Sequence, residues 1–341
     1  MRAFSAADSV SLAIQRTRDF LFRPFKWGTY LKLGLVGMIT EGFGSNFQSS
    51  NRGGAPSGHP PTAFSPFSIT PGRVAMAVAA VLLLMVVLLA VTYLVTRLRF
   101  AFFHCLIHNT REIRPGWEIY RAPAARFFWL NVVVGLCFLL VAGLVALPFV
   151  AGFWRLFHDI PPGGHPDIGL LLSLVLPLIP LILLLVVAGI VADVILRDWM
   201  LPHFALDNAT AGEAWAGVWV SIKRETKQFF VYALLRVVLP TVAMAVVLVV
   251  LIIPGLIVAG SFGAMVYGIH SAFANSTGGA ALAGTLLQVF FGVVAFGLLL
   301  LAGVCLGGPV STGIREYALT FYGGRYQVLG DILYPPAPPL S

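Results

Sequence analysis

Long runs of apolar residues alternate along this chain with short segments that carry nearly all of its charge. A helix needs roughly 20 mostly apolar residues to cross the hydrocarbon core of a bilayer. Runs of this length predict membrane-spanning helices, and the polar segments between them predict short connections on either side of the membrane. Five runs meet the requirement: about 74–96, 127–152, 168–196, 230–256 and 281–307.

A sixth run, 27–41, is shorter and contains Lys32 and Glu41. Two interpretations are open: a short span whose Lys32 side chain extends to the membrane interface, or a re-entrant segment. With six spans and a cytoplasmic N-terminus, 17 of the 22 Lys and Arg residues lie in cytoplasmic segments and 3 in external ones. With five spans the split becomes 12 against 8. Because cytoplasmic loops are typically rich in Lys and Arg, we expect six spans, with both termini in the cytoplasm of a bacterium and the helices in its inner membrane.

Composition agrees with a membrane protein and excludes several other classes. The chain of 341 residues is 58% hydrophobic and 11% charged, whereas a soluble domain carries about 25% charged residues. The net charge of +8 comes from basic residues that lie between the apolar runs, mainly in the predicted cytoplasmic segments. They form no groove-binding pattern, so no nucleic-acid partner is expected. Cys105, Cys137 and Cys305 are far apart and form no CxxC pair. Neither a disulfide framework nor a zinc site is therefore expected.

Comparison of the chain with itself indicates an internal repeat. Stretches 117–128 and 219–230 share the pattern W-x3-[R/K]-x5-F-F ahead of an apolar run. Stretch 12–22 keeps the same offsets, with Leu in place of Trp and without the second Phe. The segments 104–109 and 203–208 also match, since both read H-x4-N. Weak repetition, as in any protein built of hairpins, is the alternative to true repeats.

These patterns predict one all-α membrane domain covering residues 1–341. Its six transmembrane helices would form three hairpins, each preceded by a cytoplasmic amphipathic helix, related by a parallel pseudo-threefold axis along the membrane normal. Segment 42–73, rich in Gly, Ser and Pro, predicts a flexible external loop, and 334–341 a Pro-rich tail. The predicted repeat units are approximately 5–109, 110–208 and 209–325.

The third amphipathic helix has the clearest sequence signals. Thr210-Ala-Gly-Glu213 predicts a capping box at its start, and Trp215, Val218 and Trp219 follow at helical spacing. Such a helix is expected to lie in the lipid headgroup layer with its cations toward anionic lipid. Our candidate headgroup-binding residues are Trp117, Arg121, Arg126, Trp219, Lys223, Arg224 and Lys227.

Ionisable residues within spans are the usual markers of function in membrane proteins. Asp193 and Arg236 lie at similar depth near the cytoplasmic ends of two spans, which predicts an ion pair between helices. A solvated interface pair and a substrate or proton site are the alternatives. His104 and His108 lie four residues apart, but Cys105 stands where a zinc-protease helix requires Glu. We expect no catalytic residue, no metal and no cofactor.

Several segments resemble a known family. The runs LFRPFKWGTYLKLGLVGMITEGFG, RLRFAFFHCLIHNTREIRPGWEIYR and GIREYALTFYGG, with the motif Asp198-Trp-Met-Leu-Pro202, are similar to the bacterial membrane domain of glycerophosphodiester phosphodiesterase. The resemblance runs nearly end to end. In some relatives this domain is fused to a soluble phosphodiesterase barrel. No barrel sequence occurs up to Ser341, so the resemblance implies a stand-alone membrane domain without that activity.

The leading functional hypothesis is therefore a non-catalytic membrane module that binds lipid or a partner protein, and so scaffolds lipid-related machinery. The alternative is a transporter or channel for a small solute or lipid, built around the pseudo-threefold axis with Asp193 and Arg236 lining its path. An intramembrane hydrolase is a third and weaker hypothesis.

Overall fold

The computed structural model describes residues 4–42, 71–158, 168–274 and 276–335. All regular structure in these ranges is helical, which confirms the prediction of an all-α protein for them. Most of the predicted flexible loop 42–73 and of the Pro-rich tail 334–341 lies outside the described residues. The described helices, in chain order, are α1 (Asp8–Phe22), α2 (Trp27–Gly42), α3 (Pro71–Ile107), α4 (Ile113–Ile119), α5 (Arg121–His158), α6 (Ile168–Val194), a π-helical turn (Ile195–Met200), α7 (Leu201–Leu206), α8 (Ala211–Arg224), α9 (Thr226–Phe273), α10 (Gly279–Gly323) and α11 (Gln327–Leu333).

Five of the described helices are long and apolar enough to cross a membrane: α3, α5, α6 with its continuation into α7, α9 and α10. Almost none of the residues in their most apolar stretches is buried within the protein. The exposed apolar run extends from Val74 to Leu94 in α3 and from Leu282 to Leu301 in α10. At 1.5 Å per residue each run is about 30 Å long, which matches the hydrocarbon core of a bilayer. The chain has the properties of a multipass membrane protein.

The sixth predicted span corresponds to α2, which is much shorter. Its 16 residues make a helix of about 24 Å, less than the roughly 30 Å of a hydrocarbon core. Several of its side chains are buried, among them Leu33 and Val36, unlike those in the most apolar stretches of the five long helices. A crossing by α2, and with it the six-span topology, stays a prediction.

The chain packs as two compact units, one formed by residues 1–117 and 227–341 and the other by residues 118–226. The single membrane domain and the three repeat units predicted from the sequence stay predictions beside this division. In the first unit the buried side chains belong to α1, α2 and α11, to the start of α9 and to the ends of α3 and α10. The apolar parts of α3, α9 and α10 continue beyond this packed region.

Small residues let α2 and α10 approach closely in the first unit. A Cβ atom placed on Gly308 would lie 2.6 Å from the Cα atom of Gly34, and one placed on Gly37 would lie 3.2 Å from Oγ1 of Thr312. Close backbone approach at glycine is a common way for apolar helices to pack when no water is present to drive association. Because Gly34 meets Gly308 and Gly37 meets Thr312, the two helices run in the same direction at this crossing.

Helix α1 packs along the end of α10 in the opposite direction. Its Arg16 forms a salt bridge with Glu316, with 3.1 Å between Nε and Oε2. Thr320 donates a hydrogen bond from its hydroxyl to the carbonyl of Ser9 at 3.2 Å. Glu316 is 1% exposed, so the guanidinium of Arg16 provides the charge that a buried carboxylate needs.

The second unit is built around the junction of α6, the π turn and α7. Trp199, Leu201 and Phe204 are buried there, and Phe127 of α5 packs edge-on against Phe204 with ring centroids 5.3 Å apart. The π turn lies just before Pro202, which has no N–H to donate to the carbonyl four residues earlier and whose ring crowds that carbonyl.

Two asparagines end helices in the same way. Asn109 follows α3 with a φ of 51°, and Asn208 follows α7 with a φ of 55°. A left-handed residue after the last helical turn lets the next N–H groups reach back to free carbonyls. Accordingly, the N–H of Thr110 donates to Cys105 at 3.0 Å and that of Ala209 donates to His203 at 3.3 Å.

Candidate lipid-interface site

Helix α8 begins at the capping box predicted from the sequence, and the structure confirms it. The backbone N–H of Thr210 donates to Oε2 of Glu213 at 2.8 Å, and the N–H of Glu213 donates to the hydroxyl of Thr210 at 3.4 Å. The Thr210 hydroxyl also donates to that carboxylate at 2.9 Å. These bonds satisfy N–H groups that have no partner within the first turn of the helix.

The two faces of α8 have opposite character. Ala214 and Val218 are completely buried in the second unit. On the outer face Trp215, Trp219 and Lys223 follow one another at intervals of four residues, which places them in one row along the helix. The two indoles stack with centroids 5.8 Å apart, and Nζ of Lys223 lies 5.3 Å from the centroid of Trp219. We call these three residues the α8 ladder.

The α8 ladder is exposed although it is rich in aromatic surface. Each indole is 44% exposed, and the neighbouring Val220 is more exposed still. Lys223 and Arg224 occupy the last turn, where cations are favourable because of the helix dipole. Trp and cationic side chains side by side on one helical face are typical of helices that lie in the headgroup layer of a membrane.

The other predicted headgroup-binding residues are placed differently. In the first unit Trp117 is half-buried beneath Arg97, whose guanidinium lies 4.2 Å from the indole and donates to the Trp117 carbonyl at 2.7 Å. Trp117 is therefore held against the protein. Lys227 is exposed at the start of α9.

Arg121 and Arg126 both lie in α5 and are exposed. Arg126 donates to the backbone carbonyl of Asn208 at 3.2 Å and also to the side-chain oxygen of that residue. Its guanidinium thereby holds the left-handed asparagine that precedes α8. The sequence did not predict this structural role, because nothing in the local pattern places Arg126 next to Asn208.

The two predicted intramembrane residues each have a partner within their own unit. Asp193 accepts a hydrogen bond from Arg197, one helical turn later, at 2.9 Å. Arg236 of α9 donates to Oε2 of Glu41 of α2 at 2.9 Å, and both side chains are nearly buried. Sequence reasoning assigned neither partner. The predicted pairing of Asp193 with Arg236 joins residues of different units and stays a prediction.

The ion pair between Arg16 and Glu316 was also missed by sequence reasoning. Arg16 had been recognised only as a member of the repeat pattern, and Glu316 only as part of the segment GIREYALTFYGG. An acidic residue inside that largely apolar stretch was the available signal, but its partner lies 300 positions earlier in the chain. No local pattern reports such a pair.

No group of three His, Cys, Asp or Glu side chains suited to a metal ion occurs in the described ranges. His104 and His108 lie close together, with ring centroids 4.5 Å apart. His104 packs against α4, since a Cβ placed on Gly116 would lie 2.7 Å from the Cβ of His104. The two imidazoles thus contribute to packing at the end of α3.

Residues 4–332 match a family of unknown function, DUF7544. The chain belongs to this family. No curated protein and no solved structure matches it. The resemblance to the membrane domain of glycerophosphodiester phosphodiesterase is not part of the family's description and stays a prediction. The DUF7544 match covers both compact units and the whole of α8, so the α8 ladder lies within the family's extent.

The capping box predicts a pH dependence for the start of α8. The hydrogen bonds from the backbone and side chain of Thr210 lower the pKa of Glu213 below its usual range. A carboxyl with a lowered pKa stabilises the folded state above its ordinary pKa, and that contribution is lost as the pH falls through the lowered value. In a carboxyl NMR titration, Thr210→Ala is expected to return the midpoint of Glu213 toward that of a free glutamate. An unchanged midpoint in Thr210→Ala would contradict this assignment.

Proposed function

We propose that this DUF7544 protein is a non-catalytic integral membrane module that binds anionic phospholipid at the membrane surface and so positions lipid-related machinery. The observation that carries the proposal is the exposed α8 ladder of Trp215, Trp219 and Lys223, on a helix whose opposite face is buried. The burial of Ala214 and Val218 holds the helix in place. Its outer face then presents a fixed row of indole and ammonium groups.

The chemistry of the ladder favours lipid headgroups over other ligands. Indole rings prefer the boundary between acyl chains and headgroups because they combine an apolar body with an N–H donor. Lys223 and Arg224 add two positive charges at one end of α8, each contributing on the order of 1 kcal/mol toward an anionic surface. The long exposed apolar helices of the same chain require a lipid bilayer, and the headgroups of that bilayer would be the ligand of the α8 ladder.

The parallel repeat is the finer part of the proposal, and several contacts at the two junctions between consecutive copies support it. Asn109 and Asn208 share the left-handed conformation at matching positions. His104 lies against Gly116, and His203 lies against Gly217, where a Cβ would meet the imidazole at 3.2 Å.

The hairpins and the orientation of the termini have unequal support. Helices α9 and α10 run antiparallel, since Tyr232 stacks on Tyr317 and Phe262 contacts Phe291. The first hairpin has no support from the packing: a first span that leaves the cytoplasm would run opposite to α10, whereas α2 is short and runs parallel to it. The packing of α1 along the end of α10 favours termini on one side of the membrane.

A lipid-binding measurement tests the proposal directly. In native mass spectrometry of the protein titrated with phosphatidylglycerol or phosphatidylcholine, the protein is expected to retain the anionic lipid preferentially. Replacing Lys223 and Arg224 by Gln is expected to lower that preference about 30-fold, which corresponds to about 2 kcal/mol. The matched control exchanges the cations, with Lys223→Arg and Arg224→Lys, and should keep the preference. Equal retention of both lipids by the unaltered protein would overturn the proposal.

A labelling experiment tests the orientation. Single cysteines at positions 121 and 223 are expected to react with a membrane-impermeant maleimide from the same side of the membrane, and only after the cells are opened. This result follows from the distribution of Lys and Arg, which places both segments in the cytoplasm. Labelling of the two positions from opposite sides would exclude the proposed topology.

A further inference from the structure

The turn between α1 and α2 carries a cluster of aromatic rings that the sequence analysis did not single out. Phe22, Phe25, Trp27 and Tyr30 contact one another with centroids between 5.1 Å and 6.2 Å apart. Tyr30 is buried, but Phe22 is 42%, Phe25 44% and Trp27 63% exposed. We call these four residues the aromatic tip. Three large apolar side chains exposed together are unusual on a surface that faces water.

The tip is held rigidly by one side chain. The guanidinium of Arg111 donates to the carbonyls of Phe20 at 3.0 Å, Arg23 at 2.6 Å and Pro24 at 2.7 Å. Carbonyls at the end of a helix have no partner within the helix, and the planar fork of Arg can bind several of them at once. The main chain beneath the exposed rings is therefore fixed before any ligand binds.

The depth of the aromatic tip in the membrane follows from its contact with α10. Tyr30 donates a hydrogen bond from its hydroxyl to the carbonyl of Cys305. The exposed apolar run of α10 ends at Leu301, four residues or about 6 Å earlier along the helix. Thr17 of α1 lies beside Gly313 of α10, and Gly37 of α2 lies beside Thr312. Both α1 and α2 therefore extend from the aromatic tip away from the apolar run of α10. The tip is thus the part of this helix pair nearest to the apolar run.

Cations surround the tip. Arg23, Lys26 and Lys32 are all exposed on the turn or within the first turns of α2, and Arg23 also pairs with Asp19 at 3.4 Å. Exposed aromatic rings with Lys and Arg beside them, at the end of an apolar run, have the chemistry of the boundary between acyl chains and headgroups. A water-exposed helix pair has no comparable need for this arrangement.

We propose that the aromatic tip inserts into the headgroup layer of the bilayer that surrounds the apolar helices, and that Arg111 fixes it in the shape required for insertion. The partner of this surface is lipid. Phe25 and Trp27 enter the boundary of the acyl chains, while Lys26 and Lys32 remain among the phosphates. The tip is a second lipid contact, separate in the chain from the α8 ladder and independent of it.

Spin labelling in liposomes tests how deeply the aromatic tip lies in the bilayer. A nitroxide is attached at Trp27→Cys, with Cys137 and Cys305 replaced by Ser and Ala and the buried Cys105 retained. Relaxation by oxygen, which concentrates in lipid, is compared with relaxation by a water-soluble nickel chelate. The label at position 27 is expected to respond more strongly to oxygen. The control label at Arg18→Cys, about one turn from Phe22 on α1 and exposed, is expected to respond more strongly to nickel.

Equal nickel accessibility at positions 27 and 18 would overturn insertion. A second label at Phe25→Cys gives an independent measurement. If that label were as accessible to nickel as the label at position 18, insertion of the aromatic tip would likewise be overturned. The clamp is tested with Arg111→Gln, which is expected to increase the mobility of the label at position 27. Unchanged mobility would remove Arg111 from the proposal. Because these readings do not involve α8, they are independent of the preference for phosphatidylglycerol.

Discussion

Replacing Arg16 by Met is expected to lower the free energy of unfolding by about 3 kcal/mol, because it leaves the buried carboxylate of Glu316 without its charged partner. The 3.1 Å salt bridge between the two residues lies where α1 packs on α10. Met retains most of the apolar volume of the Arg stem, so the loss reports on charge more than on packing. The measurement is thermal unfolding in one detergent, with the unaltered protein measured beside the variant.

Two further variants make this prediction specific. Arg18→Met removes an exposed cation of the same helix, paired with Asp19 at 3.8 Å, and is expected to change stability by less than about 0.5 kcal/mol. Glu316→Gln is expected to cost less than Arg16→Met, since Arg16 is one-quarter exposed and its guanidinium can turn toward water. If Arg16→Met and Arg18→Met behaved alike, the buried pair would have no stabilising role.

Gly308→Ala is the second substitution with a large expected effect. Its Cβ would lie 2.6 Å from the Cα of Gly34, a distance that two carbon atoms cannot keep, so α2 and α10 would have to move apart. Overpacking of this kind costs about 1–3 kcal/mol, and the contact is with backbone, which has no rotamer to change. A net loss of about 2 kcal/mol is expected after the small gain of Ala over Gly within a helix.

Gly303 provides a matched control on the same helix. No atom lies within 4 Å of a Cβ placed there, so Gly303→Ala is expected to stabilise α10 by about 0.5–1 kcal/mol. The two Gly→Ala changes should therefore shift the melting temperature in opposite directions. A shift of the same sign and size in both variants would show that α2 and α10 are not in contact at Gly308.

Features that depend on neighbouring residues could be predicted from the sequence. Apolar runs near 74–96 and 281–307 correspond to parts of α3 and α10, because a span is defined by its own length and hydropathy. The capping box of Thr210 and Glu213 could be predicted for the same reason, since both partners lie within one helical turn. The helices extend beyond the predicted runs, however. Their ends are less apolar and are stabilised by packing against other segments.

The candidate site was predictable in part. The row of Trp215, Trp219 and Lys223 follows from helical spacing, but its exposure depends on which face of α8 the second unit covers. Trp117, which shares the sequence pattern of Trp219, is half-buried because Arg97 packs over it. Identical local patterns thus gave one exposed indole and one covered indole. Only contacts between distant segments separate the two cases.

The amino-acid sequence alone determined that the chain is helical and apolar enough for a membrane, since hydropathy and helical periodicity are properties of consecutive residues. The tertiary structure decided which charges are paired, as with Arg236 and Glu41, and how α2 is directed along α10. It also decided which aromatic rings remain exposed. The ion pair and the direction of α2 depend on residues at least 195 positions apart in the chain, and the covered indole of Trp117 depends on Arg97, 20 positions away. The free energies of these contacts arise only when packing excludes water or lipid from the space between them.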